Sequence, residues 1–229
     1  MAIAIYASGY VDSGTTGNQG TYTVSFNVGT GSNRLLLACV SIADSASADI
    51  SAISYNSVSM GTADVSQRNT NSDYSLSKIY HLVAPATGAN TFSFTTSGNC
   101  DCSVVLIALT GVNQTTPIRN TQKATGNSGT LALTISSATN DLVIDNGTDY
   151  YTSGTTSTTG TGQSLILDHR CVSGSATGVE GATSQTPGGS VTTIGWTIAN
   201  TRQWAYTAVS VEPAAAAGAT NVVRNVRFF

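Results

Sequence analysis

The chain has 229 residues, a formal net charge of −3 and only 9% charged residues, against roughly 25% in an average soluble protein. Two lysines (Lys78, Lys123) and two glutamates (Glu180, Glu212) cannot supply the polar face of a helical bundle. Nine basic residues spread along the chain make no field for nucleic acid. No run of apolar residues is long enough for a membrane-spanning helix, and 40% hydrophobic content argues against disorder. Serine and threonine fill the gap, with 29 and 35 copies. The first residues, MAIAIYASGY, lack a basic n-region and an apolar h-region, so no signal peptide is expected, and Met1 fits a chain made without that pathway.

Period-two alternation is the main local signal. Residues 21–28 (TYTVSFNV) put Tyr22, Val24, Phe26 and Val28 on one face, as in a half-buried strand. Residues 34–43 (RLLLACVSIA) are continuously apolar, as in a central strand covered on both faces. Cys39 within them reads as a buried thiol. Ile50–Tyr55 and Val58–Met60 flank Asn56-Ser57 as a short hairpin. Ser75–Val83 alternates up to Pro85, and 86–89 turns into the strand Asn90–Thr96. Asp101–Val112 is the most apolar strand. Later strands are expected at 130–135, 141–146, 163–168, 176–182, 190–198 and 203–212. No segment shows helix start and stop signals around a 3.6 repeat. Short strands separated by Gly, Ser, Asn and Thr turns indicate an all-β, antiparallel β-sandwich; without crossover helices a parallel sheet is excluded. The sandwich spans 1–213 as one domain, with its hydroxyls mainly on outward positions and turns. The low-complexity stretch 152–162 (TSGTTSTTGTG) reads as an exposed loop. Residues 214–229 form a small-residue linker and a short extended C-terminal tail.

Chemistry-bearing residues are sparse. Cys100 and Cys102 share one side of a strand; a metal would need Cys171 and His169 brought to them, and a disulfide would use Cys171. Glu180 with Asp168 is the one carboxylate pair suggested, and nothing in its Gly-rich surroundings marks it as catalytic. His81 ends an alternating strand, and His169 in Asp168-His169-Arg170 resembles a local ion-pair cluster. No G-x-S-x-G accompanies either imidazole. The segment from Asp145 to Asp149 reads as a turn using Gly147 for positive φ, with too few oxygens for calcium. No catalytic residue, metal or cofactor is therefore assigned, and the chain is not expected to be an enzyme. Trp196 and Trp204 fit a core, which leaves Tyr150 and Tyr151 beside the Thr-rich loop as the candidate glycan contacts. The last nine residues hold two of the seven arginines and two of the five phenylalanines. There Val222, Val223, Arg224, Val226, Arg227, Phe228 and Phe229 suit a docking arm that buries its apolar groups on a partner or adds a strand to a sheet edge.

The segments RLLLACVSIAD (34–44), ISAISYNSVSMG (50–61), IYHLVAPATGANTFSFTTSG (79–98), VVLIALTGVNQTTPI (104–118) and WAYTAVSVEPA (204–214) together resemble a family of jelly-roll-like β-sandwich proteins found in bacteriophage virion genes and bacterial surface proteins. The resemblance spans roughly 20–213. Its strongest pieces, Leu82-Val-Ala-Pro-Ala-Thr-Gly and Gly111-Val-Asn-Gln-Thr-Thr-Pro, are strand ends and turns. It implies a jelly-roll-like fold and a virion structural role, with no shared catalytic residue to carry over. The expected function is a capsid decoration or cement protein on the particle surface. Its partners would be capsid or other virion proteins and further copies of itself, with a trimer as the expected oligomer because it would fit local three-folds of a shell. The alternatives are a carbohydrate- or receptor-binding module of a tail fibre or cell surface, and the subunit of an extracellular filament. Neither nucleic acid nor membrane is expected as a partner.

Overall fold

The computed structural model describes residues 2–14, 17–43, 45–71, 74–152, 157–172, 177–198 and 202–215. The tail Asn221–Phe229 lies outside the described residues. Within them the chain is all-β, in antiparallel sheets packed face to face.

The first half contributes β1 (Ala4–Asp12), β2 (Thr21–Asn27), β3 (Leu35–Ala43), β4 (Ile50–Tyr55), β5 (Val58–Ser59), β6 (Val65–Asn69), β7 (Ser75–Val83), β8 (Ala89–Thr96) and β9 (Asp101–Thr110). They form an inner sheet in the order β1-β9-β3-β7-β6 and an outer sheet β2-β8-β4-β5. With the eight strands of a jelly roll lettered B to I, these orders are B-I-D-G, extended by β6, and C-H-E-F. The second half contributes β10 (Ile118–Gly126), β11 (Thr130–Ser136), β12 (Leu142–Thr152), β13 (Thr158–Thr159), β14 (Ser164–Val172), β15 (Thr177–Pro187), β16 (Val191–Thr197) and β17 (Trp204–Val211). Its inner sheet runs β10-β17-β12-β15-β14 and its outer sheet β11-β16-β13. That is the same order again, with one outer strand fewer. The span 1–213, which alternation presents as one sandwich, thus holds two jelly rolls in tandem.

The duplication can be traced in residues. TGNQGT (16–21) precedes β2 and TGNSGT (125–130) precedes β11. Strand registers carry the equivalence onward: Tyr22 faces Phe94 and Val24 faces Phe92, while Leu131 faces Trp196 and Leu133 faces Ile194. An asparagine with positive φ stands two residues before β3 (Asn33, φ 54°) and again before β12 (Asn140, φ 73°), where Asn tolerates the left-handed turn better than other L-residues.

The two rolls stack through their inner sheets, so four layers result. β3 shows why a continuous apolar run is needed. Its Leu36, Ala38, Val40 and Ile42 pack with Phe92, Phe94 and Leu106 between the first two sheets. Its Leu35, Leu37 and Cys39 pack with Ile107, Leu109, Ile144 and Val209 between the two rolls. A third cluster, with Leu131, Ile194, Trp196 and Tyr206, fills the second roll. Cys39, Trp196 and Trp204 are buried as expected.

Toward one end the inter-roll interface turns polar. Asn146 donates its side-chain amide to the Val40 carbonyl at 3.0 Å, to Ser41 at 3.2 Å and to Ser77 at 2.9 Å. Ser77 donates to the Asn146 carbonyl at 2.9 Å and shares a bond with Thr207 at 2.7 Å. Thr148 donates to Ser41 at 2.7 Å. All five side chains are buried. A Cβ on Gly181 would come within 2.7 Å of the Ser41 hydroxyl, so glycine there permits the close approach of the sheets. Most serines and threonines among the described residues are exposed or half-buried, as expected, while those of this seam face an interior shared by two sheets.

Candidate functional site

The face of the second inner sheet that looks into its own roll carries acids in register. Arg170 of β14, Glu180 of β15, Asp149 of β12 and Trp204 of β17 stand opposite one another across four strands. Asp168 lies two residues before Arg170 and therefore on the same face. The Asp168–Glu180 pair suggested by sequence is thus brought together, close enough for the Glu180 carboxylate to act on Asp168. Asp149, which the sequence offered only as the end of an oxygen-rich turn, and Arg202, which was not singled out, join them.

Burial dominates the electrostatics. It pushes the Asp168 carboxyl up to about 6, with the neighbouring Glu180 charge adding to it and Arg170 opposing. Asp149 is pushed up to about 8 by burial and then by Glu180, with Arg202 opposing. Asp149 is therefore mostly protonated at neutral pH, which lowers the cost of its 4% exposure. Glu180 accepts from the Ser157 amide at 3.2 Å and from the Arg170 guanidinium at 3.1 Å. Both of its oxygens are engaged. A glycoside-hydrolysing pair must flank an open cleft that admits a sugar ring, whereas Glu180 is at 1% exposure with both oxygens engaged, and only Asp168 of the pair reaches solvent. The arrangement can store protons and tie three strands together at one end of the roll.

Four residues back along β12, Asp145 anchors a second polar cluster. It accepts from the Ser184 amide (3.0 Å) and hydroxyl (2.8 Å), Gln163 (2.8 Å), Trp196 (3.2 Å) and Tyr206 (2.9 Å). Burial raises this carboxyl to about 6 against those bonds. The segment from Asp145 to Asp149, expected to be a turn, is instead the middle of a central strand. Gly147 is there because Leu131 and Trp196 pack over it, at 3.2 and 3.5 Å from where a Cβ would sit.

Each imidazole is paired with an aspartate. His81 Nδ1 lies 2.8 Å from Asp64, and His169 Nε2 lies 2.6 Å from Asp12. No serine hydroxyl bonds either ring among the described residues, so the Ser-His-Asp arrangement is not assembled there. All four cysteines are free thiols. Cys171 lies 3.3 Å from the Ser13 hydroxyl, which also binds the Cys102 amide at 3.0 Å, so the chain brings Cys171 beside Cys102 without a disulfide. Among the described residues no group of three His, Cys, Asp or Glu side chains could hold a metal. Glu212, at the end of the last strand, pairs with Arg119 at 3.3 Å.

Of the two glycan candidates, Tyr150 packs against Ala43, Cys171 and Val179, and its carbonyl accepts from Arg202. The side chain of Tyr151 lies outside the described residues. The open aromatics are on β1: Tyr6 is 53% exposed, and Tyr10 is 49% exposed with its ring stacked on His169 at 3.5 Å. The alternation in IAIYASGYVD is the signal that could have revealed them. Comparison with known proteins brings up no matching family, no matching curated protein and no matching solved structure.

Proposed function

We propose that this chain is a structural assembly protein, a bacteriophage capsid decoration protein that binds the assembled shell through its C-terminal tail. The observation that carries this reading is the contrast between body and tail. The described body turns much of its polar chemistry inward: Asp141, Asp145, Asp149 and Glu180 are buried, and both imidazoles face aspartates. The tail concentrates Val222, Val223, Val226, Phe228 and Phe229 beside Arg224 and Arg227 with no acid. Such a segment gains from burial on a partner and from acidic groups around it. The tandem jelly roll, a rigid and chemically quiet block, supports the reading only as architecture, since fold does not fix function. Deleting 221–229 and measuring occupancy on particles tests it: loss of binding is expected, and unchanged occupancy would refute it.

The half-exposed Tyr6 and Tyr10 favour a second reading, a glycan- or receptor-binding module. Tyrosine faces stack on the apolar faces of sugar rings. Binding on a glycan array that vanishes in Tyr10→Ala would establish that reading over the first.

A further inference from the structure

The two jelly rolls differ at one position in a way that exposes a backbone edge. In the first roll, β8 is covered along its far side by β4, pairing Thr96 to Phe92 with Ile50 to Tyr55, and the Asn56 amide closes the row by donating to the Thr91 carbonyl at 2.9 Å. In the second roll the equivalent strand is β16, and its cover, β13, is two residues long, pairing only Thr197 and Trp196. One further residue is taken: Gly195 accepts from the Gly160 amide at 2.8 Å and donates to the Gln163 side chain at 2.7 Å. Backbone groups of alternate residues point the same way, so those of Thr193 and Val191 face that side too. Thr193 is the equivalent of Thr91, and among the described residues no strand lies alongside it. Val191 is 61% exposed at the start of this edge. A short open edge with an apolar side chain is a template for a strand from elsewhere.

The chain itself holds a segment of matching chemistry. Asn221–Phe229 alternates Val222, Arg224, Val226 and Phe228 with Val223, Asn225, Arg227 and Phe229, and contains no proline or glycine. The body ends close to the open edge. Pro213 bridges Val112, and the Ala214 amide donates to Gly111 at 2.7 Å. Val211 pairs with Leu142, which pairs with Pro187, four residues before β16 begins. Five residues lie between Ala215 and Asn221, six steps or about 20 Å when extended, so the tail can reach clear of the end from which it leaves. Direction decides the donor. A tail folding back on its own body would run inward from that end, parallel to β16, and would meet Gly160 within a few residues. A tail arriving from a neighbour can lie antiparallel, like every strand pair among the described residues.

We propose that the open β16 edge accepts Asn221–Phe229 of a second copy of this chain. The inference rests on the reading of the tail as an assembly arm and names its partner. Donor and acceptor are different surfaces, so the contact is head-to-tail. It closes into a ring, of which a trimer is one case, or runs on as a filament.

The test uses three proteins in sedimentation over a range of concentrations: the full chain, a 221–229 deletion, and full-length Thr193→Pro. Proline at an edge position whose amide points outward is compatible with the strand and blocks the docking row. Val191→Lys, a charge on the same edge, serves as the second variant if the proline disturbs folding by circular dichroism. The full chain should self-associate, and each variant alone should sediment as a single copy. Mixing the deletion, which keeps its edge, with the edge variant, which keeps its tail, should restore a complex. A mixture that stays monomeric, edge variants that associate like the full chain, or a full chain that is monomeric throughout would each overturn the proposal. Particle binding measured on the same proteins separates the two readings. If the tail is needed for particle occupancy while the full chain never self-associates, the decoration reading stands and the edge inference falls.

Discussion

Ser77→Ala tests the polar seam that joins the two jelly rolls. Ser77 is wholly buried, and its hydroxyl serves three bonds: to the Asn146 carbonyl, from the Asn146 amide and with Thr207. Alanine differs by one oxygen and leaves almost no cavity, so the loss reads the hydrogen bonds alone. At about 1 kcal/mol net per bond, three bonds give roughly 3 kcal/mol. Asn146 keeps the Val40 carbonyl and Ser41, which lowers the figure, while Thr207 loses its one side-chain partner among the described residues, which raises it. About 2–3 kcal/mol is expected, a drop of roughly 4–12 °C in melting temperature for a chain of this size. Ser25→Ala on the outward face of β2 should change stability by no more than about 0.5 kcal/mol. Denaturant titrations followed by tryptophan fluorescence and circular dichroism would measure both. A loss at Ser77 below about 1 kcal/mol, or equal losses at the two sites, would refute the seam as a stabilising feature.

Three carboxyls with raised pKa set an unusual pH dependence. Asp145, Asp149 and Asp168 hold their protons more tightly folded than unfolded. Below about pH 4 both states are protonated and nothing is lost; above about pH 8 both are ionised and the full burial cost applies. Their contribution therefore weakens as pH rises from 4 to 8. Asp149→Asn should flatten that slope in denaturant midpoints taken at pH 5 and pH 8; an unchanged slope would show that Asp149 does not carry it. Asp145→Asn puts an amide donor among five donors and should cost about 2–4 kcal/mol, read as an earlier unfolding transition and altered emission from Trp196. Burial raises the Cys39, Cys100 and Cys102 thiols, Cys100 up to about 12. A thiol-specific reagent should therefore label all four cysteines only after unfolding, and rapid labelling of the folded protein would contradict the buried, free assignment.

The strands that carry the core were legible, and those that only complete it were not. β3 and β9 announce themselves because a strand covered on both faces must be apolar throughout. β10 reads IRNTQKATG and β6 reads VSQRN; both are sheet edges with little to bury, so no periodicity marks them. The turn expected at Asp145 to Asp149 failed for a related reason. Asp, Asn, Gly and Thr usually signal a turn, and here each has a buried partner that only the stacked sheets supply. The carboxylate pair Asp168–Glu180 could be named from sequence, but Asp149 could not. Its membership depends on the register of β12 against β15, a long-range fact. The tandem repeat was legible in TGNQGT and TGNSGT, which a search for self-similarity would have found at a spacing of 109 residues.

The four-layer stack gives the scarcity of charge a physical cause. A single two-sheet sandwich keeps one face of each sheet in water, and that face takes lysine and glutamate at little cost. Here both inner sheets lose their second water face to each other. Long charged chains would be desolvated there, while a plain apolar surface would leave the register of one roll on the other weakly defined. Serine, threonine and asparagine meet both demands: they are short enough for sheets at close approach, and their bonds, such as Asn146 to Val40 and Ser77 to Thr207, fit only one register. The second roll departs from this economy, burying Asp145, Asp149 and Glu180 at positions whose counterparts in the first roll, Ala38, Ile42 and Leu76, are apolar. Two copies of one architecture thus differ in what they bury, and the acid-bearing roll is also the one with the short cover on β16.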